Sequence, residues 1–227
     1  MNALRIGLMV PINNTTMERE LIAWLPPGST CRTLRIPRGK GTLTAADLPA
    51  YVAQAMTMAA ELAAADIDIV VYGCTAAGFL AGPSRDAEIA AELAAVTAKP
   101  TVTTASAMTA VLDHLGARNI ALVTPYLDAV NERLQAFVEQ CGVRVEILSS
   151  YRAHTTDELA AITGTQIAER AREVMGASCD ALFVACSQLP TQAILPGLER
   201  EFGRPAWSSI RATAWHACRA LELSAAH

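Results

Sequence analysis

The sequence predicts an α/β fold of two pseudo-symmetric lobes, each a parallel sheet with helices on both faces, with the functional site in the cleft between them. Three observations lead to this prediction. Short apolar runs alternate with longer helical patterns, and these runs are apolar at successive positions, as in strands covered on both faces. In addition, the second half of the chain repeats the first.

The first half starts with an apolar strand-like run at 5–11, which leads through a polar loop into a helical pattern at 17–25. A second strand is predicted at 30–36. The alanine-rich stretch 45–65 is long enough for several helical turns before the next strand at 67–72. The same alternation predicts further helices at 87–98, 106–115, 130–141, 156–175, 192–202 and 211–223, and further strands at 100–103, 120–123, 143–148, 181–185 and 206–208.

The internal repeat places two cysteines at equivalent points. The run IGLMVP that ends at Pro11 matches IALVTP that ends at Pro125, and Cys74 and Cys186 follow these prolines by 63 and 61 residues. Ligands of open α/β sheets bind at the carboxyl ends of strands. If the two halves face each other, both cysteines therefore flank one ligand.

The repeat also predicts the domain organisation. One lobe comprises residues 1–104 together with 206–227, and the other comprises 105–205. In this arrangement the chain crosses back to the first lobe at its C-terminus.

Composition excludes several classes of function. The 227-residue chain has a net charge of −4, so it lacks the basic excess of a nucleic-acid-binding protein. It has neither a signal-like N-terminus nor an uninterrupted apolar run of ~18 residues, which predicts a cytoplasmic protein without a membrane span. Its six cysteines and four histidines show no metal-binding spacing, so no metal site is expected.

The two strand-end cysteines are the candidate catalytic residues. A thiol can act as a nucleophile or transfer a proton where its surroundings lower its pKa, as helix N-termini do. The backbone N–H groups after each cysteine are available to an anion such as a substrate carboxylate. Free cysteines are often packing residues, but their equivalent positions favour function here. The residues that follow them are Thr75, Ala76, Ser187 and Gln188.

Two other strand ends supply polar candidates. Asn14 lies in the loop after the first strand, where Thr15 or Thr16 is a candidate helix cap and the Asn14 amide is free to bind a carboxylate. Tyr126 lies at the equivalent point in the second half, where it is either a hydrogen-bond donor or part of the cavity wall. The glycine-rich segment 37–41 is a candidate lid whose Arg38 and Lys40 would attract an acidic ligand.

Together these motifs resemble the maleate cis-trans isomerase branch of the aspartate/glutamate racemase superfamily, to which arylmalonate decarboxylase also belongs. The resemblance covers essentially the whole chain. The segments that carry it are PINNTTME at 11–18, Cys74, TPY at 124–126 and ACSQLP at 185–190.

The resemblance implies a cofactor-independent, homo-oligomeric isomerase of a small carboxylic acid. The cysteine matching Cys74 adds to the double bond, the cysteine matching Cys186 exchanges a proton, and residues matching Asn14 and Tyr126 hold the carboxylates. In the decarboxylase a glycine replaces the first cysteine. Retention of Cys74 therefore favours an isomerase or a racemase.

Other readings remain open. The isomerases carry a further substrate-binding asparagine that is absent from this chain, and His154 and Thr156 are the candidates to replace it. A racemase, or a decarboxylase of the arylmalonate type, would use the same scaffold, and the polar start of the loop after Cys74 favours these two. A non-catalytic carboxylate-binding protein is the alternative from another class.

Overall fold

The computed structural model describes residues 2–221 and contains two four-stranded sheets, all of whose strand pairs are parallel. Their strand orders are β2-β1-β3-β4 and β6-β5-β7-β8, so the second sheet repeats the topology of the first. The predicted fold class is confirmed. The strands are β1 (Arg5–Pro11), β2 (Thr30–Ile36), β3 (Ile69–Tyr72), β4 (Thr101–Thr103), β5 (Asn119–Thr124), β6 (Arg144–Ser150), β7 (Ala181–Val184) and β8 (Ala206–Ser208).

Helices follow the strands and cover the sheets. Three differences from the predicted helices stand out, at 45–65, at 156–175 and immediately after Cys74. The helices are α1 (Met17–Trp24), α2 (Leu48–Ala63), α3 (Thr75–Ala81), α4 (Pro83–Thr97), α5 (Thr104–His114), α6 (Asp128–Gln140), α7 (Thr156–Ala160), α8 (Gly164–Val174), α9 (Leu195–Phe202) and α10 (Ser209–Ala220).

Each difference has a local cause. The helix predicted at 45–65 begins later, at Leu48, because the Asp47 carboxylate accepts hydrogen bonds from the backbone N–H and the hydroxyl of Thr44. The predicted helix 156–175 is two helices, because Thr163 and Gln166 form a capping box that starts α8. Helix α3 was missed, since its seven residues are too few for a clear periodic pattern. Residues 222 and 223 of the last predicted helix lie outside the described residues.

The repeat extends to the hydrogen bonds beside each cysteine. One residue before Cys74, the N–H of Gly73 donates to the carbonyl of Met9 at 2.7 Å, which extends the pairing of β3 with β1. Before Cys186, the N–H of Ala185 donates to the carbonyl of Val123 at 2.9 Å, which extends β7 against β5. The two cysteines are therefore held at equivalent sheet positions.

The C-terminal part of the chain contacts both lobes. Strand β8 pairs with β7, so residues 206–208 lie in the second sheet and the predicted boundary before residue 206 cuts a strand from its own sheet. Helix α10 packs against α1 and α5, which belong with the first sheet. The crossing back to the first lobe thus comes at α10, and the division into two lobes remains a proposal.

Most of the core is continuous between the lobes. One cluster of buried apolar side chains includes both Tyr72 and Phe183, which are fully buried in β3 and β7. A second cluster fills the space between the other face of the first sheet, α1 and α10. No helix within residues 2–221 is long and apolar enough to cross a membrane.

Helix α3 packs very closely, and Gly78 makes this possible. A Cβ atom at Gly78 would lie 2.4 Å from the Ala105 Cβ and 2.5 Å from the Asp86 Oδ1. The pKa of the buried Asp86 carboxyl is raised by desolvation to about 6, although the Thr103 hydroxyl donates to it at 2.6 Å. The segment after Cys74 is therefore fixed by contacts that leave no space for a side chain.

We predict that Gly78→Ala lowers the free energy of unfolding by about 1–3 kcal/mol, because the added methyl group overpacks the α3–α5 contact. Urea denaturation checks this. Gly197→Ala is the matched control, since this glycine also lies in a helix but its Cβ would meet nothing within 4 Å. Equal stability of the two variants would contradict the packing argument.

Candidate active site

One cavity lies between the two lobes, at the carboxyl ends of four strands. Including its open mouth, it measures about 510 Å³. The eight residues that the sequence predicted as catalytic or substrate-binding line this cavity, and the chemical role of each stays a prediction. These residues are Asn14, Cys74, Thr75, Ala76, Tyr126, Cys186, Ser187 and Gln188.

Cys74 follows β3 directly and is the N-cap residue of α3. Its side chain is buried, and desolvation raises the pKa of the thiol. The positive charge of Arg38 and the N–H groups of Ala76 and Ala77 lower this pKa, but by less. The predicted helix N-terminus is therefore present, whereas the expectation that it lowers the thiol pKa overall is wrong because burial has the larger effect.

Cys186 follows β7 and begins a turn, and the next described helix starts only at Leu195. The backbone N–H of Gln188 donates to the Cys186 Sγ at 3.4 Å. Burial raises the pKa of this thiol to about 11, against the lowering effects of Gln188 and the Tyr126 hydroxyl. Charge repulsion from Cys74 raises it slightly further, and both cysteines line the same cavity.

Two hydroxyl groups beside the thiols are available to a ligand. Thr75 Oγ1 and the Tyr126 phenol oxygen are buried, and neither has a hydrogen-bond partner of normal geometry among the described residues. The Tyr126 ring is fixed by an edge contact with Phe79, with ring centroids 5.3 Å apart. Because a buried hydroxyl without a partner is costly, both groups favour a ligand that accepts hydrogen bonds.

Asn14 and the residues after Cys186 bind the lobes to each other. Asn14 Nδ2 donates to the Ser187 carbonyl and hydroxyl, each at 3.2 Å. Ser187 Oγ donates in turn to the Gly73 carbonyl at 2.9 Å. Gln188 exchanges two hydrogen bonds of 2.9 Å with the backbone and hydroxyl of Thr15. In this arrangement these side chains hold the cavity walls together.

The start of α1 is capped differently from the sequence expectation. Thr16 occupies the N-cap position, but its side chain makes no capping hydrogen bond. Asn14 Oδ1 instead accepts from the N–H groups of Thr16 and Met17, at 3.1 and 2.9 Å. An Asn side chain reaches backbone groups two and three residues ahead, so it can replace the hydroxyl as the cap.

A buried carboxylate anchors the segment that follows Cys186. Glu20 accepts from the N–H of Thr191 at 3.0 Å, from its hydroxyl at 3.1 Å and from the N–H of Gln192 at 3.1 Å. Glu20 lies on α1 of the first lobe, so this contact also joins the lobes. Sequence reasoning missed it, because nothing in the local pattern distinguishes Glu20 from an exposed helical glutamate.

The candidate lid at 37–41 crosses from the first lobe to the second. Gly41 forms an isolated antiparallel bridge with Thr155, and the Lys40 carbonyl accepts from the Thr156 N–H at 2.9 Å. Of the two candidates for the absent asparagine, Thr156 lines the cavity, whereas His154 is exposed and is not among the lining residues.

Several cavity residues were not assigned to the site from the sequence. Asn13 adjoins Asn14 in the same polar loop, which was an available signal. The hydrophobic residues Leu43 and Leu159 come from the lid region and α7, and no local pattern indicates them. Tyr51, on α2, does not line the cavity, but its hydroxyl lowers the pKa of the Cys74 thiol. The lining residues that the sequence did not indicate are Pro11, Asn13, Thr42, Leu43 and Leu159, and the previously named candidates Arg38 and Thr156 complete the lining.

Comparison with known proteins gives this arrangement a family. A family model described as arylmalonate decarboxylase matches residues 6–227. The chain belongs to the arylmalonate decarboxylase family. Within the described residues, no three His, Cys, Asp or Glu side chains are grouped as a metal site requires.

Individual relatives confirm the predicted similarity to the maleate isomerase branch. A maleate isomerase of Nocardia farcinica is 31% identical over 234 residues, covering 100% of this chain and 93% of the relative. A mutant of the maleate cis-trans isomerase from the same organism, solved with a covalently bound succinylcysteine intermediate, has a TM-score of 0.90 and 29% identity, covering 98% of this chain and 94% of the other.

A second solved structure agrees. The maleate isomerase of Pseudomonas putida S16, solved as a cysteine-to-alanine mutant with maleate, has a TM-score of 0.91 and 26% identity. The alignment covers 98% of this chain and 93% of that one. The resemblance inferred from the motifs is thus confirmed over nearly the full length.

The raised pKa of Cys186 predicts how this thiol responds to alkylation. Since thiolate is the reactive form and the pKa is about 11, labelling by iodoacetamide should rise about tenfold per pH unit from about pH 7 to about pH 10, without a plateau. Peptide mass spectrometry measures the rate at Cys186 separately. Tyr126→Phe removes a group that stabilises the thiolate, so the rate at fixed pH should fall. A plateau below about pH 9 would contradict this placement of Cys186.

Proposed function

We propose that this protein is a cofactor-independent cis-trans isomerase of a small unsaturated dicarboxylic acid, similar to maleate isomerase. The observation that carries the proposal is a single buried cavity with a thiol from each lobe and two unpaired hydroxyl groups beside them. The thiols supply addition and proton transfer. The hydroxyls supply donors for the negative charge that develops on a carboxylate during addition.

In the proposed first step, Cys74 gives its proton to solvent at the cavity mouth, which Arg38 and the N–H of Ala77 favour, and its thiolate attacks one alkene carbon of maleate. A C–S bond forms, the π bond breaks, and the electron pair moves towards the adjacent carboxylate as an enediolate. Thr75, Tyr126 and the backbone N–H of Ala76, all from the cavity lining, would donate to this charge. Cys186 then gives its proton to the carbon, which leaves a succinyl group attached to Cys74.

The remaining steps reverse the addition after rotation. The former double bond is now single, so the two carboxylates can turn from the same side to opposite sides. The Cys186 thiolate takes the proton back, the double bond re-forms, and the C–S bond breaks to release fumarate. The raised pKa of Cys186 suits the donor role, because this thiol stays protonated near neutral pH. The succinylcysteine intermediate of the Nocardia farcinica enzyme supports this sequence of steps.

Racemisation is the second candidate function. The unpaired Thr75 hydroxyl next to Cys74 favours it, because a racemase would hold one carboxylate there while the two thiols exchange the α-proton from opposite sides. Proton NMR in deuterated water separates the candidates. An isomerase converts maleate to fumarate, whereas a racemase exchanges the α-proton of a saturated acid such as aspartate or glutamate. Release of carbon dioxide from an arylmalonate would identify a decarboxylase.

The predicted oligomeric state and the predicted cellular location also remain proposals. A homo-oligomer is supported by family resemblance and by the small exposed residues of α2, such as Ala53 and Ala60. A cytoplasmic location is supported by sequence composition. Light scattering of the purified protein tests the first and fractionation of producing cells tests the second.

We predict that Cys74→Ala and Cys186→Ala each lower turnover of maleate by at least about 100-fold, because each removes a group that transfers charge or a proton. The fumarate signal in NMR measures turnover. Cys141→Ala is the control, since Cys141 is an exposed thiol at the end of α6. Circular dichroism shows whether each variant is folded. A folded variant of either cavity cysteine that retains most of its activity would refute the two-thiol mechanism.

A further inference from the structure

Arg38 is the one cavity residue with a formal charge among the described residues that line the cavity. It is half-buried, and its guanidinium donates to the carbonyl of Gly41 in its own loop. Across residues 2–221 it forms no salt bridge. Asp47, whose pKa Arg38 helps to lower, instead accepts hydrogen bonds from the backbone N–H and hydroxyl of Thr44. The positive charge therefore has no fixed anion.

The loop that carries Arg38 is attached to the second lobe at one end of the cavity. The Lys40 carbonyl accepts from the N–H of Thr156, and the Thr156 hydroxyl accepts from Asn13 Nδ2 at 3.0 Å. Asn13 Oδ1 is buried and has no hydrogen-bond partner among the residues that the structure describes. Arg38, Asn13 and Thr156 thus line the cavity in addition to the hydroxyl-bearing residues Thr75 and Tyr126.

We propose that Arg38 binds the second carboxylate of the substrate, with a further donor from the Thr156 hydroxyl that Asn13 holds in place, and so selects diacids over monoacids. This inference rests on the proposed function. Two carboxylates in a buried cavity need a compensating charge, and a guanidinium can bind one of them through two parallel hydrogen bonds. The assignment also accounts for the asparagine that this chain lacks, since three other polar residues line the same cavity.

The position of Arg38 relative to the proposed nucleophile supports the assignment. Its charge is the largest of the effects that lower the pKa of Cys74, after the opposing effect of burial. The guanidinium is therefore within electrostatic reach of the sulfur. A carboxylate bound to Arg38 would then lie close to Cys74. A four-carbon diacid requires this closeness, because each of its carboxylates is within two bonds of the carbon that Cys74 attacks.

Alkylation of Cys74 tests Arg38 without any turnover. Iodoacetate and iodoacetamide are nearly the same size, but only iodoacetate carries a carboxylate. We expect Arg38→Met to lower the ratio of iodoacetate to iodoacetamide labelling at Cys74 by roughly tenfold, because it removes the attracting charge. Lys40→Met is the matched control, since Lys40 is an exposed cation in the same loop that does not line the cavity. An unchanged ratio in Arg38→Met would overturn the proposal.

Kinetics with paired substrates tests selectivity for the diacid. We expect Arg38→Met to lower kcat/KM for maleate by roughly 10- to 100-fold and for maleate monomethyl ester by less than about threefold. Arg38→Lys, which keeps the charge, should recover part of the loss. Equal losses for both substrates would refute a role in selecting diacids.

The two measurements separate this inference from the proposed function. If the wild type converts no maleate but Arg38→Met still lowers the alkylation ratio, the isomerase assignment fails and carboxylate binding by Arg38 stands. If the wild type converts maleate and the ratio does not change, the isomerase assignment stands and the role of Arg38 fails. Should Arg38→Met not fold, the ratio in Arg38→Lys decides, and it must stay near the wild-type value.

Discussion

The hydrogen bond from the Ser187 hydroxyl to the Gly73 carbonyl, 2.9 Å long, is the contact on which the site depends. Ser187 follows Cys186 in the chain and Gly73 precedes Cys74, so this bond joins the two thiol-bearing segments by the shortest route. Asn14 fixes the same hydroxyl from the first lobe. Cavity width is thereby set by short polar contacts in a buried environment, where such bonds are strong and their loss is costly.

The chemistry follows from the low polarity of this environment. Desolvation raises the pKa of both thiols, while N–H groups, phenols and one guanidinium lower it by different amounts on each side. The halves are similar in topology but unequal in charge. Cys74 has a helix N-terminus and Arg38 beside it, whereas Cys186 has neither. The proposed mechanism uses this inequality, with Cys74 as the attacking thiol and Cys186 as the proton donor.

The fold and the location of the site were predictable from the sequence because both rest on patterns that repeat. Apolar runs alternating with helices predict the sheets, and the matched spacing of Cys74 and Cys186 predicts the cavity. Contacts between distant segments were not predictable. In the sequence, Glu20 cannot be distinguished from an exposed helical glutamate, because its partner Thr191 lies far away in the chain. The thiol pKa values were misjudged for a related reason, since local sequence indicates a helix N-terminus but not the depth at which it is buried.

The chain passes between the lobes twice, once after α5 and once between β8 and α10. These two connections oppose a hinge motion that would open the cavity, because a large rotation of one lobe relative to the other would separate α10 from α1 and α5. The candidate lid at 37–41 carries Arg38 into the cavity lining and bonds to Thr156 of the second lobe, so we expect it to control the entry of reactant. Exchange of this short segment between related chains should therefore change which molecules enter without altering the two sheets.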